Sequence, residues 1–128
     1  MAKRKNPQAK ALQIEISDPD GLSAYSARHL EWMAVQHYSQ TTITGRAHYL
    51  GFFLHWCQQR DLRQPQEITR PILESYQRSL HRTKKINGKP SSANALGNHV
   101  YALRGFFKWL AKSRHILYNP AAELEIPK

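Results

Sequence analysis

The sequence lacks most features of a secreted, metal-binding or membrane protein. It has one cysteine, Cys57, so neither an internal disulfide nor a zinc site built from cysteines is available. No apolar run approaches the ~20 residues that a bilayer span needs, and no apolar segment follows the basic start to form a secretory signal. Cys57 lies among apolar residues, so we expect it to be a small core residue of a protein from a reducing cytosol.

Acidic residues are missing from a long part of the chain. Between Glu74 and Glu123 there are 48 residues with no carboxylate and with nine lysines or arginines, and the net charge of the 128 residues is +10. Solvated helices normally mix both signs, because opposite charges four residues apart support the helix. One sign sustained this long favours a surface for a polyanion, with nucleic acid as the first candidate. The alternative is a chain that is simply basic and soluble.

Motifs for catalysis and metal binding are also missing. The seven histidines include no HExxH arrangement and have no cysteine partners, which disfavours a metal site. The turn at residues 87–90 lacks the first glycine and the Ser or Thr of a phosphate-binding loop. The nine carboxylates include no pair at a spacing suited to acid–base chemistry. We therefore expect no metal, no cofactor and no catalysis by this chain.

Helical periodicity predicts an all-α bundle of four helices, with a short fifth turn after Asn119-Pro120. The first helix should run from about Leu22 to Gln36, and the second from the cap candidates at 39–42 to about Arg60. The third should begin at Thr69 and extend past Leu80, and the fourth should run from Ser91 or Ser92 to about Lys112. Residues 1–20 should form a flexible basic arm that ends in a turn, residues 21–124 the folded domain, and residues 125–128 the start of a linker.

Apolar spacing indicates which sides of the first and third helices face the core. In the first helix these residues are Leu22, Tyr25, Leu30, Trp32 and Met33, with Asp20 or Ser23 as the cap. In the third they are Ile72, Leu73, Tyr76 and Leu80, with Thr69 as the cap and Pro71 in the first turn.

The second helix is predicted to be central and buried on two sides. One apolar face comprises Ile43, Ala47, Leu50, Phe53, Leu54 and Cys57. Tyr49, Phe52 and Trp56 cover much of the remaining surface. The polar strip is then narrow and consists of Thr44, His48, His55 and Gln58.

The fourth helix has two contrasting faces. Its core stripe of Leu96, Val100, Leu103, Phe107 and Leu110 falls within about 80° on a helical wheel. The opposite face carries Asn94, Asn98, Tyr101, Gly105, Lys108 and Lys112. Asparagine can bind adenine bidentately in a major groove, and lysine neutralises phosphate. Gly105 suits close approach by a partner, although a solvated face and glycines that permit close helix packing would explain the same residues.

Two segments carry more specific motifs. The first is Ser39-Gln40-Thr41-Thr42-Ile43, followed by Leu50, Phe53 and Trp56. The second is VYALRGFFKWL at residues 100–110, followed by Asn119-Pro120-Ala121 and Ile126-Pro127-Lys128. In this order and spacing, over about residues 22–128, they resemble the N-terminal core-binding (SAM-like) domain of tyrosine recombinases, the phage-integrase-like family.

This resemblance implies a domain that forms half of a C-shaped clamp around a DNA half-site, with its second and fourth helices facing the major groove. By position it indicates Thr42, Thr44 and Gly45 in the second helix, and Asn94, Ala95 and Asn98 in the fourth. Lys84, Lys85 and Lys89 would reach phosphate. Arg46 stands where many relatives have an aromatic residue, which indicates either a phosphate contact or a difference in local packing. Gly97 stands where a polar residue is often found.

The resemblance also carries expectations about the whole protein. The family cleaves DNA with a tyrosine and a set of Arg, Lys and His residues in a second domain after the Pro-Lys exit. This chain ends at Lys128, so we expect no strand cleavage by it. The expected partner is double-stranded DNA and not a membrane. The parent protein, bacterial or phage-encoded, should assemble as an oligomer on DNA in the cytoplasm, at the nucleoid, and the isolated domain should be monomeric.

Two other functions compete with this interpretation. A helical protein-interaction module could use the basic face to bind an acidic protein. Neutralising about six phosphates gives a log–log slope of affinity against salt near −5, whereas a protein interface should give a shallower slope. A standalone helix-turn-helix regulator fits less well, because the basic loop of about seven residues before the fourth helix exceeds the usual three- or four-residue turn.

Overall fold

The computed structural model describes residues 18–82 and 93–125, apart from the side chains at 93 and 94. The basic arm up to residue 17, the basic turn at 84–90 and the exit at 126–128 lie outside the described residues. The described part contains four α-helices and no strand: α1 (Leu22–Val35), α2 (Gln40–Gln59), α3 (Arg70–Arg82) and α4 (Ala93–Lys112). The all-α prediction is confirmed, and no helix of the described part is long and apolar enough to cross a membrane.

The chain divides into two compact units, at residues 1–64 and 65–128. In the first unit α1 packs against α2. Its core includes Leu22, Met33, Leu50, Phe53 and Cys57, each no more than 3 % exposed. The apolar face predicted for α2 is thus confirmed except at Ile43, which is half-buried, and Cys57 is the small core residue that its surroundings indicated.

The second unit is built from α3, α4 and the segment that follows α4. All five residues of the predicted α4 stripe are buried: Leu96, Val100, Leu103, Phe107 and Leu110. On α3, Leu73 and Tyr76 are buried, whereas Ile72 and Leu80 are half-buried. The segment after α4 adds the buried Ile116, Ala121 and Leu124.

Several local predictions need correction. Neither Asp20 nor Ser23 caps α1, because its N-cap is Gly21, which has no side chain to offer. Trp32 is 37 % exposed and Leu30 is half-buried, so the apolar side of α1 is narrower than its sequence suggested. A 3-10 helix at Pro65–Glu67 was not predicted.

The final turn and the other caps follow the sequence more closely. The Asn119 side chain accepts a hydrogen bond from the Ala121 backbone N–H at 2.9 Å, which sets a turn rather than a fifth helix. Ser39 caps α2 through the Thr42 N–H at 3.1 Å. The Thr69 hydroxyl accepts from the Ile72 N–H at 3.4 Å, as predicted for α3.

Three helices end in the same hydrogen-bond pattern, with a residue other than glycine at positive φ. After α1, His37 has a φ of 65°, and the Tyr38 N–H donates to the Met33 carbonyl at 3.1 Å. Asp61 after α2 and Arg114 after α4 have φ values of 56° and 65°. Glycine is the usual residue at this position, because a Cβ disfavours the left-handed conformation.

Replacing His37 with glycine should therefore stabilise the protein, by about 1 kcal/mol. The exposed His37 side chain has little packing to lose. Gln36→Gly is the matched control, since Gln36 has a φ of −81° and gains nothing from glycine. Urea unfolding of both variants measures the difference. Equal destabilisation by the two substitutions would show that the left-handed conformation at His37 carries no strain.

Candidate nucleic-acid interface

One side of α2 is turned away from the core and carries short or neutral side chains. Thr41, Thr44 and His55 are exposed, and His48 is half-buried. Phe52, on the same side, is 51 % exposed. We call this side the α2 face and define it as Thr41, Thr44, Gly45, His48, Phe52 and His55. No acidic residue occurs anywhere in α2, so an anion approaching this face meets no carboxylate from the helix itself.

Phe52 was expected to be buried, and this prediction is wrong. Trp56 is buried and Tyr49 half-buried, but half of the Phe52 side chain meets solvent. The helical wheel contains the reason, since Phe52 follows His48 by four residues and precedes His55 by three, within the polar strip. Only its hydrophobicity favours the core. The polar strip predicted for α2 therefore includes an exposed aromatic ring.

The start of α2 is held by side-chain hydrogen bonds. The Ser39 hydroxyl donates to Thr42 Oγ1 at 2.9 Å, in addition to accepting from the Thr42 N–H. One turn later the Gln40 amide donates to Thr44 Oγ1 at 3.3 Å. Thr42, which the resemblance indicated as a groove contact, thus belongs to the cap. Thr44 remains exposed and is the more accessible hydroxyl of the two.

Gly45 has open space where a side chain would be. A Cβ built at this position would meet no atom within 4 Å. Nothing inside the protein therefore requires glycine here, although glycine in a helix interior costs about 1 kcal/mol relative to alanine. A partner that approaches the helix backbone closely would account for the residue.

Arg46 lies on another side of α2. It is half-buried, and its charge helps to lower the pKa of His29, a buried residue of α1. The larger cause is burial of the imidazole, and together the two effects lower the pKa of His29 to about 4. Arg46 thus lies towards α1, which makes it a weaker candidate for phosphate contact than the residues of the α2 face.

The face of α4 opposite its core stripe is exposed, as the wheel predicted. Asn98, Lys108 and Lys112 are exposed, Tyr101 is 51 % exposed and Gly105 is half-buried. We call these five residues the α4 face. It combines an amide, a phenol and two ammonium groups along one side of the helix. Such a set can donate hydrogen bonds to bases and neutralise phosphates.

The cations of this region take part in no ion pair among the described residues. Ion pairs in the described part join Arg63 to Asp61 at 2.8 Å, and Arg70 to Glu74 at 3.4 Å and to Glu123 at 3.3 Å. None of them involves the described cations of residues 78–114, which are Arg78, Arg82, Arg104, Lys108, Lys112 and Arg114. Their positive charge is therefore available to a partner.

The other predicted contacts are only partly described. Lys84, Lys85 and Lys89 lie outside the described residues, as does the side chain of Asn94, and Ala95 is half-buried. Among the described residues no group of histidine, cysteine or carboxylate side chains could hold a metal ion. What the structure does display is two solvent-facing helix sides, one neutral and one basic.

Comparison with known proteins identifies the class. Residues 26–116 match the family described as phage integrase, N-terminal SAM-like domain. The chain belongs to this family, as its motifs indicated.

Particular relatives extend this result. Tyrosine recombinase XerC 2 of Ralstonia nicotianae is 41 % identical over 107 residues, which are 84 % of this chain and 31 % of that protein. Tyrosine recombinase XerC of Xylella fastidiosa is 31 % identical over 90 residues, covering 70 % of this chain and 29 % of the relative. XerC of Anoxybacillus flavithermus is 24 % identical over 100 residues, or 77 % of this chain and 31 % of its own length. The chain spans about a third of the curated relatives that it matches, and no solved structure matches it.

Proposed function

We propose that this chain is the DNA-binding core-binding domain of a tyrosine-type site-specific recombinase. The support is its family, the names of its relatives as tyrosine recombinases, and its net charge of +10. In this proposal the α2 face and the α4 face enter the major groove of one DNA half-site. An α-helix fits that groove, where each base pair presents a distinct pattern of donors and acceptors.

The observation that carries the proposal is the uncompensated charge of α4. Lys108 and Lys112 are exposed, and no carboxylate occurs from residue 75 to residue 122 to pair with them. A protein gains nothing in stability from such one-sided charge, because like charges repel. A DNA backbone, with one negative charge per ~1.7 Å of helix axis, supplies the missing anions.

Different residues would contribute affinity and specificity. The exposed Asn98 amide can bind adenine through two hydrogen bonds, and Asn94 one turn earlier would extend the contact. Lys108 and Lys112 would neutralise phosphates without reading sequence, as would Lys84, Lys85 and Lys89 just before α4. On α2, Thr44 and Gly45 would lie closest to the groove.

We assign strand cleavage to parts of the longer recombinase outside these 128 residues, because the chain spans only about a third of its relatives. The 128-residue chain should then leave supercoiled plasmid intact. A covalent protein–DNA adduct in a nicking assay with this chain would contradict the assignment.

The test of DNA binding is an amide-shift NMR titration with a duplex of roughly 20 base pairs at two salt concentrations. Shifts should concentrate on the α2 face and the α4 face and should decrease with salt, with a log–log slope near −5 if about six phosphates are neutralised. An absence of shifts at low salt would overturn the proposal. If the chain binds an acidic protein with a shallow salt dependence and does not bind DNA, the protein-interaction module is favoured instead.

Replacing Lys108 and Lys112 together with glutamine should reduce the magnitude of the salt slope by about 2, since each phosphate contact contributes about 0.9. Affinity should decrease equally for all duplex sequences, because phosphate contacts carry no sequence information. Fluorescence anisotropy over a salt series measures both quantities.

Arg70→Gln is the matched control, because the Arg70 guanidinium is already paired with Glu74 and Glu123. It should change the salt slope by less than the double substitution of Lys108 and Lys112 does. If the lysine variant and the control have the same slope as the wild type, the α4 face does not contact phosphate.

A further inference from the structure

Phe52 is one of several large hydrophobic residues that remain exposed in the described part of the chain. It lies on the α2 face, 51 % exposed, between the polar His48 and His55. Large apolar surface left in water is unfavourable. The other members of the α2 face are threonine, glycine and histidine, so Phe52 is the one large apolar side chain of that face.

The ring also has a defined orientation. His48 packs edge-on against Phe52, with ring centroids 4.9 Å apart and an interplanar angle of 83°. His48 in turn packs edge-on against Tyr49, at 5.0 Å and 70°. These contacts restrict the rotamers of Phe52 before any partner binds, so less side-chain entropy is lost on binding. The exposed part of the ring therefore has a restricted position before a partner binds.

The chemistry of the major groove offers one apolar group to such a ring. Base edges there present nitrogen and oxygen donors and acceptors, and in addition the 5-methyl group of thymine. Phosphates give a phenyl ring no apolar contact, and the sugars are the same at every base pair, so a sugar contact would carry no sequence preference. We propose that Phe52 contacts a thymine 5-methyl group and so gives the domain a preference for thymine at one position of its half-site. This inference rests on the DNA-binding function proposed above.

The position of Phe52 along α2 separates this contact from the start of the helix. Phe52 follows Gly45 by seven residues, about 10 Å along the helix axis. Successive base pairs are ~3.4 Å apart, so the preferred thymine should not be the base pair closest to Gly45. Phe52 then adds an apolar specificity contact to the hydrogen bonds offered by Thr44 and Asn98.

The test removes the methyl group from DNA and the ring from the protein. A half-site is first selected from a random duplex library with the 128-residue chain, and each thymine is then replaced singly by deoxyuridine. At one thymine, the loss of the methyl group should weaken wild-type binding about fourfold, the effect expected for one buried carbon. Phe52→Ala should bind the thymine and deoxyuridine duplexes equally, whereas Phe52→Leu should retain part of the preference.

Gln58→Ala is the matched control, at an exposed residue of α2 outside the α2 face, and it should keep the full thymine effect. Far-UV circular dichroism checks that each variant is folded, which we expect because Phe52 is only half-buried. If each deoxyuridine substitution changes the affinity of wild type and of Phe52→Ala by the same factor, Phe52 does not contact a methyl group. The proposal of DNA binding is not affected by that result. If the wild type binds no duplex even at low salt, the proposed function itself fails.

Discussion

Replacing Gly45 with alanine should make the protein more stable and its binding to DNA weaker. The stability gain is about 1 kcal/mol, because alanine has the higher helix propensity and its Cβ would meet no atom within 4 Å. DNA binding should weaken about tenfold, since overfilling a close contact costs about 1–3 kcal/mol. Urea unfolding and fluorescence anisotropy on the selected half-site measure the two effects.

The opposite signs of the two effects make this prediction specific. A substitution that merely disturbed the fold would lower stability and binding together. At Gly21, by contrast, an added Cβ would lie 3.2 Å from the Asp18 carbonyl oxygen, so Gly21→Ala should give no gain in stability. If Gly45→Ala stabilises the protein and leaves DNA affinity unchanged, the α2 backbone at Gly45 does not approach DNA.

The helices were predictable because local chemistry determines them. The 3.6-residue spacing of apolar residues placed α4 and its five-residue core stripe correctly, and Ser39 and Thr69 cap the helices that they precede. The N-cap of α1 was not predictable in the same way. Gly21 occupies it because the Leu22 N–H donates to the Arg63 carbonyl at 2.8 Å, a partner 41 residues later in the chain.

The candidate interface was predictable on α4 and less so on α2. On α4 charge and amides mark the outer face, and the described members of that face are exposed as expected, apart from the half-buried Gly105. On α2 the hydrophobicity of Phe52 predicted a core residue, which is wrong. For Arg46 the sequence left a phosphate contact and a difference in local packing open, and its charge acts on the buried His29 of α1. The exposure of Phe52 follows from its place beside the polar residues on the helical wheel, whereas the position of Arg46 towards α1 depends on tertiary packing that the wheel does not contain.

Acidification should destabilise the protein through His29. In the fold this imidazole is 2 % exposed, and burial, assisted by the charge of Arg46, lowers its pKa to about 4 from 6.5. Between pH 6.5 and 4 His29 is therefore protonated in the unfolded chain and neutral in the folded chain. Its contribution to the free energy of unfolding is fully present above pH 6.5 and is lost as the pH falls. The expected loss is about 2 kcal/mol at pH 5 and about 3 kcal/mol below pH 4. Urea unfolding from pH 7.5 to 4 measures it.

Two variants separate His29 from the carboxylates, which also titrate towards the acid end of this range. His29→Gln removes the titrating group, so its stability should change much less between pH 7.5 and 5, even if the buried amide lowers stability at every pH. Gln58→Ala, at an exposed residue of α2 that does not titrate, should keep the wild-type pH dependence. An NMR titration of the imidazole C–H resonances provides a direct check, since His29 should remain neutral at pH 5. If its resonances titrate near pH 6.5, the imidazole is not desolvated in solution, and the packing of α1 against α2 is looser around it than the structure indicates.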